Sequence, residues 1–514
     1  MFVRLCLIFI VTNCLYTHGN ASKILCVFNM ASPSHYILGS AYAKALAEKG
    51  HDVTVVSPFE EKNPPKNGTL RSIVLTGFKE DHEKLLEEAD HFNNDKPTFA
   101  KVALILSKIV HMTEKTLQHP NFQELINSDE KFDVVVIEQF FNDALKGLAS
   151  HFDAPLILFN SVGANNFVNP LVGNPSPPSY IPDMMQDFSS NMSFFQRVKN
   201  TLSIQALSLV NYFYIYPAHG KLMKKYIPRA SDYTEVIYNA SLVFLNSDPS
   251  INMAVPKVPC MIDIGGLHVQ QPKQLPADLK AFLDGAKEGV IYFSMGSNLR
   301  SKNLPIEKRQ SLLNVFSKLK LKILWKWEDD VLPGQPKNVK LNKWLPQPDV
   351  LAHPNVKLFI THGGYLSTTE AIYHGKPVLA IPVFADQFLN SKNLELQGYG
   401  KHIPFIDLNE ENLSRVLDEL LNNPEYARHA QRGSKIMRDK IVNPKDAAVY
   451  WTEYVIRHQG ASHLKVAGVN LPLYKYLLLD VYLFLTVVVL SVIYLLILLK
   501  RICRRLLQRK SKKD

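Results

Sequence analysis

The sequence predicts an α/β protein with two parallel-sheet units and a C-terminal transmembrane helix. Three observations carry this reading. Short β-branched and apolar runs alternate with longer helical stretches in two separate parts of the chain, the pattern of a doubly wound parallel sheet. The two parts are joined by Ile262–Asp284, which holds Gly265-Gly266, Pro272 and Pro276 and reads as a connection. Near the end, Leu477–Leu499 is apolar except for Asp480 and is followed by a basic tail.

The first unit opens with strand Ile24–Phe28, loop Asn29–Ser34, helix Tyr36–Lys49 stopped by Gly50, and strand Val53–Ser57. Val134–Ile137, a helix near Ala144–His151, and Leu156–Phe159 continue the alternation. Glu83–Ile126 and Phe194–Tyr226 are long helical insertions, and Pro170–Pro182 is a proline-rich loop. Phe194–Tyr216 is rich in aromatics and aliphatics, which suits either a membrane surface or a core.

Strands of the second unit are expected at Val290–Phe293, Lys322–Trp325, Val339–Leu341, Val356–Ile360 and Val378–Ile381. Its helices fall near Ile306–Lys318, Pro348–Ala352, Leu366–His374, Gln387–Leu396, Glu411–Leu421 and Glu425–Arg438. A last helix, Lys445–Arg457, precedes the membrane-proximal stretch. The resulting plan is 1–21 signal peptide, 22–264 first unit, 265–285 linker, 286–444 second unit, 445–476 crossing helix and linker, 477–499 span, and 500–514 tail.

The chain has 514 residues and a net charge of +11. That charge resembles a nucleic-acid binder until it is located. The last fifteen residues carry eight Lys or Arg against one Asp, so the folded body is close to neutral and nucleic acid is not an expected partner. Tyr474, Tyr476 and Tyr482 fit an interfacial aromatic belt, and the positive-inside rule puts the tail in the cytoplasm. Met1–Arg4, the apolar Leu5–Tyr16 and the small or polar residues through Ala21 read as a cleaved signal peptide. Sequons at Asn67, Asn191, Asn239 and Asn412 agree with a lumenal body. Cys26 and Cys260 are then the lumenal cysteines and read as structural thiols.

One run carries the chemistry: Phe359 to Glu370, Pro377 to Pro382, then Asp386-Gln387. It reads as strand, tight turn, helix, strand, helix. Gly363-Gly364 lets the backbone approach a ligand, and the following helix offers free N–H groups and a positive dipole end to a phosphate. His362 adds a donor there, and Ser367 a hydroxyl. Glu370, a little over two turns along, suits a ribose diol. Asp386 and Gln387 follow the next strand at the carboxyl end of the sheet, where sugar hydroxyls can be gripped. Phosphate, ribose and sugar in that order spell a nucleotide sugar. At the other end of the chain, His35 follows the first strand, opens the first helix, and has the pKa range of a general base.

These spacings closely resemble the signature of the UDP-glycosyltransferase family, membrane-anchored enzymes that glycosylate small lipophilic molecules. The resemblance spans essentially the whole chain and is strongest over 290–390. It implies a GT-B architecture: two Rossmann-like domains facing a cleft, plus a C-terminal transmembrane helix, with the crossing helix packed back on the first domain. It puts His35 in the place of the catalytic histidine. Glu138 stands where the family's partner aspartate is usual, and Asp143 is the alternative. Ser294, Gly296 and Ser297 would hold the diphosphate with His362, Gly363, Gly364 and Ser367. Trp344-Leu-Pro-Gln347 resembles the segment that holds uracil, with Trp344 offering a stacking face, Gln347 an amide for the ribose or base edge, and Lys326-Trp327 flanking the base. Many relatives have asparagine where Leu366 sits, so a side-chain phosphate contact is missing here.

The expected activity is inverting transfer of a hexose, glucose in the insect branch that this chain most resembles, from a UDP-sugar to a hydroxyl of a small lipophilic acceptor, for conjugation or detoxification. UDP-glucuronic acid is the alternative donor. A lumenal binder of nucleotide sugars or lipophiles with weak catalysis is the alternative of another class. No cofactor or metal is expected, because helix dipole and side chains neutralise the diphosphate and no Asp-x-Asp triplet occurs. A nicotinamide dehydrogenase would need a Gly-x-Gly-x-x-Gly run after a strand, and neither unit has one. The Lys510-Ser-Lys-Lys-Asp514 terminus resembles a dilysine-type retrieval signal, which implies a single-pass type I protein of the endoplasmic reticulum. Homo-oligomerisation is left open.

Overall fold

The computed structural model describes residues 21–89, 92 and 98–510. The expected signal peptide, apart from Ala21, and the last four residues of the tail lie outside the described residues. After Lys465 the chain divides into two compact units.

The larger unit contains two wholly parallel sheets. The first joins β1 (Lys23–Val27), β2 (Asp52–Ser57), β3 (Thr69–Val74), β4 (Val134–Glu138), β5 (Leu156–Asn160), β6 (Ala240–Leu245) and β7 (Met261–Asp263) in the order β3-β2-β1-β4-β5-β6-β7. The second joins β8 (Val290–Ser294), β9 (Lys322–Lys326), β10 (Val339–Asn342), β11 (Val356–Thr361), β12 (Val378–Ala380) and β13 (Gly400–His402) in the order β10-β9-β8-β11-β12-β13. Each sheet winds one way through its first three strands and then back from the first. The reversals lie between β1 and β4 (Val27 beside Ile137) and between β8 and β11 (Ser294 beside Thr361). At such a switch point neighbouring loops leave in opposite directions and open a crevice at the strands' carboxyl ends.

The central strands are apolar on both faces, as a sheet covered by helices requires. Ile24 to Val27, Val134 to Ile137 and Val290 to Phe293 are all fully buried. Four helices matter for the site: α1 (Pro33–Glu48), α2 (Tyr365–Tyr373), α3 (Gln387–Leu396) and α4 (Pro444–Arg457). Pro33 starts α1 where its missing N–H costs nothing. Helix α4 packs on the first sheet, as the family resemblance implied. Its Ala448, Val449 and Val455 share a core with Ile24, Val134 and Leu242. Its Thr452 hydroxyl bonds the Tyr42 hydroxyl at 2.7 Å, and Glu453 meets His51 at 3.2 Å.

Several elements differ from the sequence expectation. β3, β6, β7 and β13 were not anticipated: β3 is a half-exposed edge with little apolar patterning, and β7 and β13 have only three residues each. The stretch 265–285, expected as a linker, carries helix Ala277–Asp284, whose Leu279 and Leu283 are buried in the second sheet's core. The insertion read as one helical stretch over Glu83–Ile126 is three helices, Phe78–Ala89, Thr98–Gln118 and Pro120–Ile126. Pro120 cannot continue the preceding helix, because it lacks an N–H and its ring crowds the turn before it.

Phe194–Tyr226 is helical throughout. It opens on a Ser193/Gln196 capping box and includes a π-helical turn at Asn211–Ile215. Ile204, Ile215 and Leu222 turn inward, whereas Phe195 and Phe213 are 80% and 71% exposed. Core packing therefore does not account for the outer aromatic face.

In the smaller unit, helix Leu479–Lys510 contains the one stretch among the described residues that is long and apolar enough to cross a membrane, Leu479–Gln508. The helix continues through Arg501, Arg504 and Arg505, so the tail begins as helix. Cys26 and Cys260 are buried free thiols.

The Tyr42–Thr452 bond is buried on both sides, and it ties α4 to α1. Tyr42→Phe is expected to cost about 1 kcal/mol and to lower the urea midpoint of the detergent-solubilised chain. An unchanged midpoint would show that the bond does not help hold α4.

Candidate active site

The expected site residues gather at the carboxyl ends of β1 and β4 on one side and of β8 to β12 on the other. Both groups flank their sheet's switch point. Ser32 at the start of α1 donates to Asn298 after β8 at 3.0 Å, so the two walls touch beside His35.

His35 lies in the first turn of α1. Its Nδ1 is 2.5 Å from Oε1 of Glu138, the last residue of β4. Glu138 is 1% exposed and the His35 side chain 16%, so the carboxylate is sealed while the ring reaches the cleft. Because Nδ1 is taken, Nε2 is the free nitrogen. Burial works against a charged ring, but it is outweighed by the Glu138 carboxylate, with help from Asp386 on the opposite wall, so the imidazole pKa is raised above its ordinary value. Glutamate's extra methylene does not prevent the contact.

Asp143, the alternative partner, is not available to His35. It is buried 2.7 Å from the Lys146 ammonium, and it accepts from Gln139 at 3.3 Å. His82, which sequence reasoning missed, also approaches this point. Its Nε2 is 3.5 Å from Asn298 Oδ1. Burial, offset in part by Asn298 and reinforced by nearby His35, holds the His82 ring below its ordinary pKa. Nothing in its charge-rich sequence surroundings marks it.

The opposite wall is built around His362. Glycines make room for its ring: a Cβ on Gly296 would lie 2.4 Å from His362 Cε1, and one on Gly364 would lie 2.4 Å from Nε2. Gly363 has φ of +85°, which favours glycine. Burial, then the charge of Lys326, pushes the His362 pKa down to about 4, so it is a neutral hydrogen-bonding ring. Gly364 caps α2 with no side-chain bond, leaving the first N–H groups of the helix free beside it. Lys326 at the end of β9 donates to the Gly296 carbonyl at 2.9 Å and to Glu328 at 2.8 Å. Its ammonium also lies 5.9 Å from the Trp344 ring. Trp344 is 65% exposed, an open stacking face. Trp327, expected to flank the base, is instead core: it is 2% exposed and donates to the Val331 carbonyl at 3.2 Å.

Other expected residues serve each other. Gln347 donates to Glu370 Oε2 at 2.6 Å and to Ser367 Oγ at 3.1 Å, while its carbonyl accepts from Tyr292 at 3.1 Å. Its amide thus sets the pose of Glu370 and has little left for a base edge. The Glu370 carboxyl is buried and pushed up to about 7, with Gln347 opposing the shift. Ser294 is buried and accepts from the Gly296 N–H at 3.2 Å, which shapes the turn, while Ser297 is half-exposed at its rim. Gln387 Oε1 accepts from the Val383 and Phe384 N–H groups at 2.8 and 3.1 Å, leaving its NH2 for a ligand. Asp386 follows Ala385, a non-glycine residue at φ of +56°, a strained position of the kind found at working sites. Burial raises the Asp386 pKa, against the opposing influence of Asn390 at 2.7 Å and of His35. Leu366 is half-buried in the first turn of α2.

Three half-exposed phenylalanines extend from the His35 ring: Phe140 edge-on at 4.9 Å, Phe141 at 5.7 Å from Phe140, and Phe167 at 4.2 Å from Phe141. Phe141 has φ of +56°, an outlier for a bulky side chain. The sequence signal was the adjacent Phe140-Phe141 between the two candidate carboxylates.

Comparison with known proteins bears on the family and the fold. The family model described as UDP-glucoronosyl and UDP-glucosyl transferase matches residues 22–513. UDP-glycosyltransferase UGT5 of Dactylopius coccus is 39% identical, covering 92% of this chain and 90% of the relative. UDP-glucosyltransferase 2 of the same insect is 35% identical over 96% and 95%. Human UDP-glucuronosyltransferase 2B7 is 29% identical over 97% and 96%. Among solved structures, a glycotransferase of kitacinnamycin (TM-score 0.57, 16% identity) and a Polygonum tinctorium UDP-glucosyltransferase (TM-score 0.56, 18% identity) each cover 85% of this chain and align over 99% of their own, and so share its fold. The chain therefore belongs to the UDP-glucuronosyl and UDP-glucosyl transferase family, as a UDP-glycosyltransferase of GT-B architecture most like the insect branch.

Proposed function

We propose that this enzyme transfers glucose from UDP-glucose to a hydroxyl of a small lipophilic acceptor by a single inverting displacement. One observation carries the reading: His35, locked to buried Glu138, stands across the cleft from the donor cradle and close enough to Asp386 for their charges to interact. His35 Nε2 takes the acceptor proton as the acceptor oxygen bonds to the anomeric carbon. The bond from that carbon to the UDP oxygen breaks on the opposite side, and UDP leaves with the electron pair. Glu138 steadies the imidazolium.

In this reading the diphosphate lies at the α2 N-terminus, with His362, the Gly363-Gly364 backbone, Gly296, Ser297 and Lys326 around it. These groups supply its charge compensation without a metal. Trp344 stacks on uracil, Glu370 binds the ribose, and Asp386 with the Gln387 NH2 holds the sugar. The similarity to an insect UDP-glucosyltransferase favours glucose over glucuronic acid. The intact His35–Glu138 contact weighs against a binder without turnover. The apolar helix Leu479–Gln508 and the basic residues after it support a single-pass anchor with the tail cytoplasmic, and the sequons support a lumenal body in the endoplasmic reticulum.

His35→Ala is expected to lower turnover by roughly 10²–10⁴-fold and to leave UDP affinity nearly unchanged, as read by isothermal titration. Equal loss of both would remove His35 as base. The base works as neutral imidazole, so kcat/KM should rise with pH through its pKa, above the ordinary value of about 6.5. In Glu138→Gln, burial is no longer outweighed and this acid limb should move down, with a fall in kcat; an unmoved limb would separate Glu138 from the reaction. Phe140→Ala should raise KM for a planar phenol by about tenfold, on the scale of aromatic edge-to-face contacts, with donor KM unaffected. A donor KM that rises equally would show that Phe140 does not border the acceptor.

A further inference from the structure

His268 is a buried histidine that the mechanism above leaves without a task. It follows Ile264-Gly265-Gly266-Leu267, just past β7. A Cβ on Gly265 would lie 2.3 Å from the Ser247 carbonyl oxygen, Gly266 has φ of +87°, and Leu267 is anchored in the first sheet's core. This tight turn sends the His268 ring into the second sheet's donor wall. There its Nε2 lies 3.6 Å from Glu370 Oε1, and the side chain is 1% exposed. Neither ring nitrogen has a partner in good hydrogen-bond geometry, although the Leu366 backbone lies close enough to favour the charged ring. The other Glu370 oxygen is taken by Gln347, so the oxygen that faces His268 is the free one.

A buried, unpartnered imidazole beside a buried carboxyl is costly unless the pair has a second state in which both groups are satisfied. A ribose diol supplies that state. Its hydroxyls donate to the Glu370 carboxylate, which favours the ionised form. We propose that His268 is the internal proton acceptor for Glu370: when the ribose diol of a UDP-sugar engages the carboxyl, the proton passes from Glu370 Oε1 to His268 Nε2 rather than to solvent. One O–H bond breaks, one N–H bond forms, and no proton leaves the protein. His268 is thus a positioning residue, and the proposal rests on the assignment of Glu370 to the ribose.

The resting charges agree. Burial pushes His268 down to about 4 and Glu370 up to about 7, so near neutrality the free pair holds a neutral ring and a partly protonated carboxyl. The groups that face the pair are Gln347, Asp349, Ser367, Tyr292 and the Leu366 backbone. Asp349 raises the carboxyl further, and none of the five is a cation that could take His268's place.

The test is UDP binding to the full chain in detergent, by titration calorimetry at pH 7 in phosphate and in Tris. Wild type is expected to show the same observed heat in both buffers, although their ionisation enthalpies differ widely, meaning no net proton release. His268→Asn should release roughly half a proton, and its UDP Kd should rise about tenfold per pH unit below 7. Equal proton release by wild type and variant would overturn the proposal. A second readout does not depend on the variant's folding. In wild type with ¹⁵N-labelled histidine, UDP at pH 7 should convert one buried histidine from neutral to roughly half charged, matching the proton Glu370 holds there, and Glu370→Gln should abolish that change. If no histidine becomes charged on UDP binding, the proposal falls. If wild type does not bind UDP at all, the donor assignment fails instead.

Discussion

The constraint on which the site depends is the reversal of winding in each parallel sheet. Between β1 and β4, and again between β8 and β11, adjacent loops part and leave a crevice at the carboxyl edge. His35 and Glu138 sit at the first reversal, and Gly296 and His362 at the second. The two reversals meet where Ser32 bonds Asn298. His35 and the residues proposed to hold the donor, 261 positions away at Gly296 and 327 at His362, are thereby brought face to face by topology.

Within that crevice, burial is used to opposite ends. On the first wall it is overcome by carboxylates, which hold His35 ready to accept a proton. On the second it prevails, leaving His362 neutral and Glu370 partly protonated in the absence of ligand. In the proposed reading, a neutral imidazole, free helix N–H groups and one nearby ammonium would compensate a diphosphate while remaining tolerable without one. The buried Asp143–Lys146 pair shows the alternative use of charge: fully paired, sealed from the cleft, and structural.

The donor wall was readable in the sequence because it is local. Turn, helix and sugar grip follow one another between Phe359 and Gln387, so spacing alone conveys geometry. His35 was readable from its place after the first strand. What could not be read depends on contacts between distant segments. His82 meets Asn298 across 216 positions, and His268 meets Glu370 only because a glycine turn after β7 aims it there. The choice between Glu138 and Asp143 turned on Lys146, whose burial no local pattern announces. β3, β7 and β13 escaped because they are edge strands with slight patterning, whereas β6 is a buried interior strand whose apolar run Leu242–Leu245 was legible. For Phe194–Tyr216 the sequence left a membrane surface and a core as alternatives, because aromatic composition does not distinguish the two.

The central claim is a single displacement, with the base on one wall and the leaving group on the other. The anomeric configuration of the product tests it most directly. With UDP-α-glucose and a simple phenol, proton NMR of the glucoside should show the large anomeric coupling of a β-linkage. An α-glucoside would contradict the account, because a single displacement from the face opposite the leaving UDP inverts the anomeric carbon.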